Sequence, residues 1–369
     1  MQIPNLKTII AVGLTAVGAA FTPNLSADVT VFIEGGSASQ SILYDRATNF
    51  FAANGGSLTN VIGSGTNTVS RFQGTVGGAL SGLSSVTFDI NVANGAVAGL
   101  QALATQVTGP GDTNVLGVQV VPNLVDSAAS PVGIGNIDSS HFAAPLPTFV
   151  VPLVYIKNVN SADTAAITNL TQRQAVSLET STPLQAAYYG STSTNKIYFV
   201  GRNTQAAVRT EIDLSIYNTA QIITYSNSAG QPVFDGSSDP GLPSGGAVTT
   251  TVAALTNSIG TIAVQNLKSS VTPLAYEGVP YSVTNVINGS YPLWGYENYY
   301  YIATGHNYTG EPSSGQLAVI NAFYNLVTNA TFQSINNPVF TNNFIPNASL
   351  KVKRTVDGGP ITPLGSNFQ

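Results

Sequence analysis

Beyond residue 27, short β-branched runs alternate along the chain with longer segments whose apolar positions recur at helical spacing. Val29, Val31 and Ile33 predict a strand, Gly35-Gly36 breaks it, and Ile42, Leu43, Ala47, Phe50 and Phe51 predict a helix stopped by Asn54-Gly55-Gly56. Ser37 or Ser39 stands where that helix takes its cap. The unit recurs in VTFDINVANGAVAGLQALA, where Val86, Phe88 and Ile90 suit a strand and Asn94-Gly95 a turn into a helix. Between the two units, residues 57–85 alternate polar and apolar positions among Gly, Ser and Thr, which predicts a hairpin added to the sheet. A strand, a glycine turn and a hydroxyl-capped helix together aim free N–H groups at a ligand beyond the carboxyl end of the strand.

Farther along, SPVGIGNIDSSHF reads as a third strand ending on Asp138-Ser139-Ser140, and FVVPLVYIKN (149–158) as an apolar strand able to carry the chain from one lobe to another. A helix around 170–178 precedes the strand KIYFVGRN (196–203), whose end holds Arg202, Asn203 and Thr204. A Gly, Pro, Ser and Asp-rich loop over 226–246 leads to the helix-like AVTTTVAALTN and the strand SIGTIAVQNL. An aromatic-rich run, GSYPLWGYENYYYIATG, precedes a helix in which Leu317, Ile320, Phe323, Tyr324 and Val327 share a face. Alternating strands and helices without a fixed-period repeat predict an α/β fold, and 369 residues suit two lobes.

Charge alters this picture mainly by exclusion. Only 8% of residues are charged against a usual quarter, the net charge is -5, and no basic cluster is present, so nucleic acid is not an expected partner. An acidic balance still permits anion binding, because backbone N–H groups and hydroxyls can build the site. The absence of cysteine removes disulfides, thiolate nucleophiles and Cys-based zinc sites, and the two histidines, His141 and His306, do not make a metal cluster. No cofactor is expected. Gly-Ser-Gly-Thr at 63–66 lacks the lysine of a nucleotide-binding loop, and no nucleophile elbow or acid–base pair argues for an enzyme. Lys7, the apolar run Thr8–Phe21 and small residues near Ser26-Ala27 predict a signal peptide over 1–27. No Cys follows it to carry lipid, and no later stretch is long and apolar enough to span a bilayer, so a periplasmic or secreted protein without a membrane anchor is expected.

In order, GGSASQS, VTFDINVANGAVAGL, GIGNIDSS, VVPLVYIKN, VGRNTQAAVR, LTNSIGTIAV and EGVPYSVTNVINGSYPLWGYENYYY resemble the phosphate-binding-protein branch of the type II periplasmic binding proteins over nearly the whole mature chain. The resemblance implies a two-lobed α/β fold with lobe 1 formed by 28–152 and 270–369 and lobe 2 by 153–269. Two crossovers would join the lobes, and a small oxyanion or polar solute would sit in the cleft between them. It further implies a monomer that delivers its solute to an ABC permease. Carried over by motif, Ser39 stands where the family meets the oxyanion with a hydroxyl and backbone N–H, and Asn94 or its neighbours Ala93 and Gly95 stand at the second helix start. An alternative register places Ser64 there. Asp138 matches the acid that accepts from a protonated oxyanion, Arg202 matches the arginine that pairs with it, and Ser37, Ser139 and Thr204 complete the candidate set.

One departure is clear. Where the family follows its arginine with Ser-Gly-Thr, this chain has Ala206-Ala207-Val208, and two lost hydrogen bonds to an ion, each worth roughly 1.5–3 kcal/mol, weaken phosphate binding by orders of magnitude. Other readings stay open. Ser37 and Ser39 fit helix caps, Asp138 an Asx-turn, Arg202 a surface ion pair with Glu211, and the aromatic run the edge of a core or a sugar-lined or partner surface. A secreted structural or adhesive protein that kept the fold and lost the ligand is the alternative function.

Overall fold

The computed structural model describes residues 28–365 apart from 64–68, 106–111, 135–136, 237–238, 307–309, 335–336 and 341–342. The signal peptide expected over 1–27 and the alternative register at Ser64 lie outside the described residues.

The first lobe starts with β1 (Val29–Gly35), α1 (Gln40–Ala53), the hairpin β2 (Leu58–Ile62) and β3 (Val69–Gly74), then β4 (Val86–Asn91) and α2 (Ala96–Thr105), and continues into β5 (Leu124–Ser127). β1 lies between parallel partners β4 and β5, while β3 pairs antiparallel with β4 and extends the sheet to β2. All six residues of β4 are buried, as expected for a strand covered on both faces. Phe50 of α1 and Phe88 of β4 meet edge-on at 4.8 Å between ring centroids, and Phe88 lies 5.0 Å from Phe323 of the helix at 314–327, so the spaced aromatics of α1 close the core.

The long β6 (Leu146–Asn158) carries the chain into the second lobe, which holds α3 (Gln172–Thr180), β7 (Tyr198–Val200), α4 (Ala207–Ser215), α5 (Gly245–Ala254) and β8 (Ser258–Ala263). β9 (Trp294–Tyr300) brings it back, and α6 (Ser314–Val327) covers the first lobe. The resulting order is β7-β8-β6-β9-β5-β1-β4-β3-β2, with β6 pairing β9 through its first half and β8 through its second. Both lobes therefore share one continuous sheet, with β6 and β9 as its two crossing strands. Local signals fix the helix starts. Thr171 with Gln174 and Ser313 with Gln316 form capping boxes, and Ser244 accepts from Ala247 N.

Three local expectations are corrected. Among the described residues of 130–142 no strand forms; Pro131, which lacks an N–H and suits a first helical position, opens a single turn at Pro131–Ile134, and the strand lies earlier at Leu124–Ser127. The 226–246 loop contains a ribbon, Tyr225–Ser228 with Gln231–Phe234, turned by Ala229 and Gly230 at φ 49° and 80°. The strand expected over 196–203 shrinks to Tyr198–Val200.

Candidate functional site

The amino ends of α1, α2 and α4 converge between the lobes. Gly36, Ser37 and Ala38 enter from β1, Gly95 and Ala96 from α2, Arg202 and Ala206–Val208 from the β7–α4 connection, with Ala128 after β5 and Glu297 on β9. The cavity they bound is about 10 Å³, roughly what one water molecule requires. Ala206, Ala207 and Val208 thus stand at the cavity where the resembled family has Ser-Gly-Thr. Ala206, the residue before α4, gives no side-chain cap, so the helix start at this wall has no capping hydroxyl beside its first N–H groups.

Arg202 dominates the electrostatics. It is 4% exposed, donates from Nε to Leu242 O (3.1 Å), from Nη2 to Pro243 O (2.9 Å) and from Nη1 to the Ser37 hydroxyl (3.3 Å). Every partner is neutral, and none of the ion pairs among the described residues involves it. Burial pushes its pKa down to about 10, the mark of a cation held away from water without a counter-charge. Glu211 pairs instead with Arg354 at 3.0 Å, both buried.

Contacts between the walls close the cleft. Val97 N donates to Gln205 O at 3.2 Å, so a free N–H of the α2 start meets the facing lobe's backbone. Gly95, at φ 89°, permits this approach, because a Cβ there would meet Gln205 O at 2.4 Å. Gln265 donates from Nε2 to Ser37 O at 2.5 Å and accepts from the Ser41 hydroxyl at 3.4 Å.

Behind Ser37 lies an acid pair. Glu297 and Asp126 are both buried and interact directly, and burial raises both, Asp126 to about 6 and Glu297 well above the carboxylate range because Asp126 repels its charged form. Burial of the two carboxyls thus favours retention of a proton by the pair as a unit. Ser39 is fully buried, its hydroxyl donating to Gly36 O and lying beside Asp126 rather than lining the cavity.

The structure brings Ser37 and Arg202 together and leaves the other candidates elsewhere. Asn94 is exposed just outside the cavity, which its neighbour Gly95 lines. Asp138 is exposed and accepts from Ser140 N at 3.0 Å, an Asx-turn that lowers its pKa. Ser139 borders a different cavity, beside Phe142 and Tyr300. Thr204 is exposed and donates from its N–H and hydroxyl to Asp239. Of Asp138, Arg202 and Ser39, only Arg202 lines the cavity: Asp138 is exposed in its Asx-turn and Ser39 is buried beside Asp126. Sequence reasoning missed Glu297, Asp126, Gln205 and Gln265. Only the two acids left a trace, as lone charges inside the apolar runs LVDS and WGYENYY. Among the described residues no group of His, Asp and Glu could hold a metal ion, and no helix is long and apolar enough to cross a membrane.

No family model matches the sequence, and no curated protein matches it. Solved structures do. A putative phosphate ABC transporter substrate-binding protein from Clostridium perfringens, described with bound phosphate, superposes at a TM-score of 0.56 with 14% identity, covering 86% of this chain and 99% of that one. An ABC-type phosphate transport receptor from Vibrio cholerae gives 0.52 at 14% identity over 85% and 99%. A phosphate-binding protein from Stenotrophomonas maltophilia gives 0.51 at 13% over 86% and 90%. With β6 and β9 as the crossing strands and three helix starts facing one cleft, the chain has the two-lobed α/β fold of the phosphate-type periplasmic binding proteins.

Proposed function

We propose that the chain is an exported, non-enzymatic solute-binding protein that takes a small inorganic oxyanion between its lobes, 28–152 with 270–369 and 153–269, and delivers it to an ABC permease as a monomer. The observation that carries this reading is Arg202, a buried guanidinium with only neutral partners at the meeting point of three helix amino ends. An anion there recovers the electrostatic cost of burying that charge. Ser37 supplies a hydroxyl, the starts of α1, α2 and α4 supply backbone N–H groups, and Glu297, whose pKa burial raises, brings a carboxyl that can donate to the anion, the reverse of the accepting role expected of Asp138. The neighbours' named solute, phosphate, is the first to test.

Affinity is low in this reading. The Ala206-Ala207-Val208 wall offers no hydroxyl, and a solute larger than water must part Gln265 from Ser37 and Gln205 from Val97 before it fits. Calorimetric titration with phosphate, sulfate and polar solutes tests it: binding in the micromolar-to-millimolar range that Arg202→Met abolishes is expected. Absence of any anion response leaves the second reading, a secreted structural protein whose cleft is held shut by its own contacts, which those same cross-lobe bonds favour.

A further inference from the structure

Far more space lies on the opposite face of β9. One cavity of about 400 Å³ is lined by Tyr296, Asn298, Tyr300, Arg354 and Asp357, and an adjoining one of about 340 Å³ shares Tyr300 and Val132 with it and adds Phe142. Each falls in the size range of small-molecule sites, whereas the cleft cavity does not.

Strand alternation builds this wall. Tyr296, Asn298 and Tyr300 project from one side of β9, and Glu297 between them faces the cleft. Tyr296 and Asn298 are half-buried and reachable, Phe142 lies 6.3 Å from Tyr300, and Val132 at the rim is 79% exposed. The charges nearby are already engaged. Arg354 pairs with Glu211 and donates to Ser215 Oγ and Trp294 O, and Asp357 accepts from Ser130 N. No unpaired cation here invites an anion. Aromatic rings beside an amide, a carboxylate and phenolic hydroxyls suit a neutral polyhydroxylated ring, whose C–H faces lie on aromatics while its hydroxyls exchange hydrogen bonds at the edge.

We propose that the groove formed by Tyr296, Asn298, Tyr300, Phe142 and Asp357 is a binding site for a neutral mono- or disaccharide, separate from the inter-lobe cleft. It does not depend on the cleft binding anything. The chain supplies its own reporter: Trp294, its single tryptophan, precedes the trio on β9 with its ring 5.1 Å from that of Tyr296. The intact protein is titrated with glucose, maltose, cellobiose and diacetylchitobiose while Trp294 emission is followed. A saturable change with at least one sugar is expected. Asn298→Ala should weaken it about tenfold, Val132→Arg at the exposed rim should weaken it without disturbing the fold, and Arg202→Met or added phosphate should leave it unchanged. No saturable response to any of the sugars up to about 50 mM, equal affinity in both rim and wall variants, or displacement by phosphate would each overturn the proposal.

Discussion

Replacing Gln265 with alanine tests whether the protein's own contacts compete with its solute. Gln265 makes two bonds across the cleft, donating to Ser37 O at 2.5 Å and accepting from the Ser41 hydroxyl at 3.4 Å. A neutral hydrogen bond contributes about 0.5–1.5 kcal/mol net, so the pair holds the closed form by about 2 kcal/mol, roughly a 30-fold bias. The remaining cross-lobe bonds, Arg202 to Ser37 and Val97 to Gln205, stay in place. With room for only about one water, the closed walls cannot keep these contacts around a bound oxyanion, so the bias is subtracted from affinity. Gln265→Ala should therefore tighten phosphate binding by up to about 30-fold by calorimetry. It should also shift small-angle scattering of the unliganded protein toward a more open form. Unchanged affinity together with unchanged scattering would refute the idea that the lobes are held shut from within.

Arg202→Met removes a charge whose burial, read from its pKa depressed to about 10, costs about 3 kcal/mol, and loses three hydrogen bonds of similar total worth. The melting temperature should hardly move while the stabilisation by phosphate disappears; a large loss of stability with the anion response intact would contradict this. Asp126, raised by burial to about 6 from 3.8, binds its proton more tightly folded than unfolded. Its contribution is thus full below about pH 4 and lost as pH rises through 6, about 3 kcal/mol in all, and Glu179, Glu211, Glu297 and Asp357 are pushed the same way. Thermal melts should give a higher midpoint at pH 4.5 than at pH 8, with Asp126→Asn flattening the difference; the opposite slope would mean these carboxyls are hydrated. Val208→Thr, which returns one hydroxyl to the cavity wall, should tighten phosphate binding about tenfold in calorimetry, whereas Asp138→Ala and Thr204→Ala should leave it within about twofold.

Strand and helix positions were legible where periodicity was long and the punctuation chemical. The β1–α1 unit carries Val29, Val31 and Ile33, a Gly-Gly break and five spaced apolar residues, and each signal points the same way. The 130–142 segment carries a competing one: its β-branched residues suggest a strand, yet Pro131 at the head of the run favours a turn, and that misreading is what placed Asp138 at a strand end. The cleft residues divide on the same principle. Arg202 was found because it ends a strand beside polar groups, Ser37 because it follows a glycine break, and Ala206–Val208 only through the resemblance, as the place where the family has Ser-Gly-Thr. Glu297 and Gln265 lie 260 and 228 positions from Ser37 and are brought beside it only by the return of β9 and the end of β8, so no window along the chain contains their relation to it. That distribution has a physical consequence. The residues legible in sequence, Ser37 and Arg202 among them, line the cavity, while Gln205 and Gln265, visible only in the fold, make contacts that close it, and Glu297 adds a buried carboxyl. A chain can therefore keep a recognisable anion-binding outline while its long-range partners alter what the site admits.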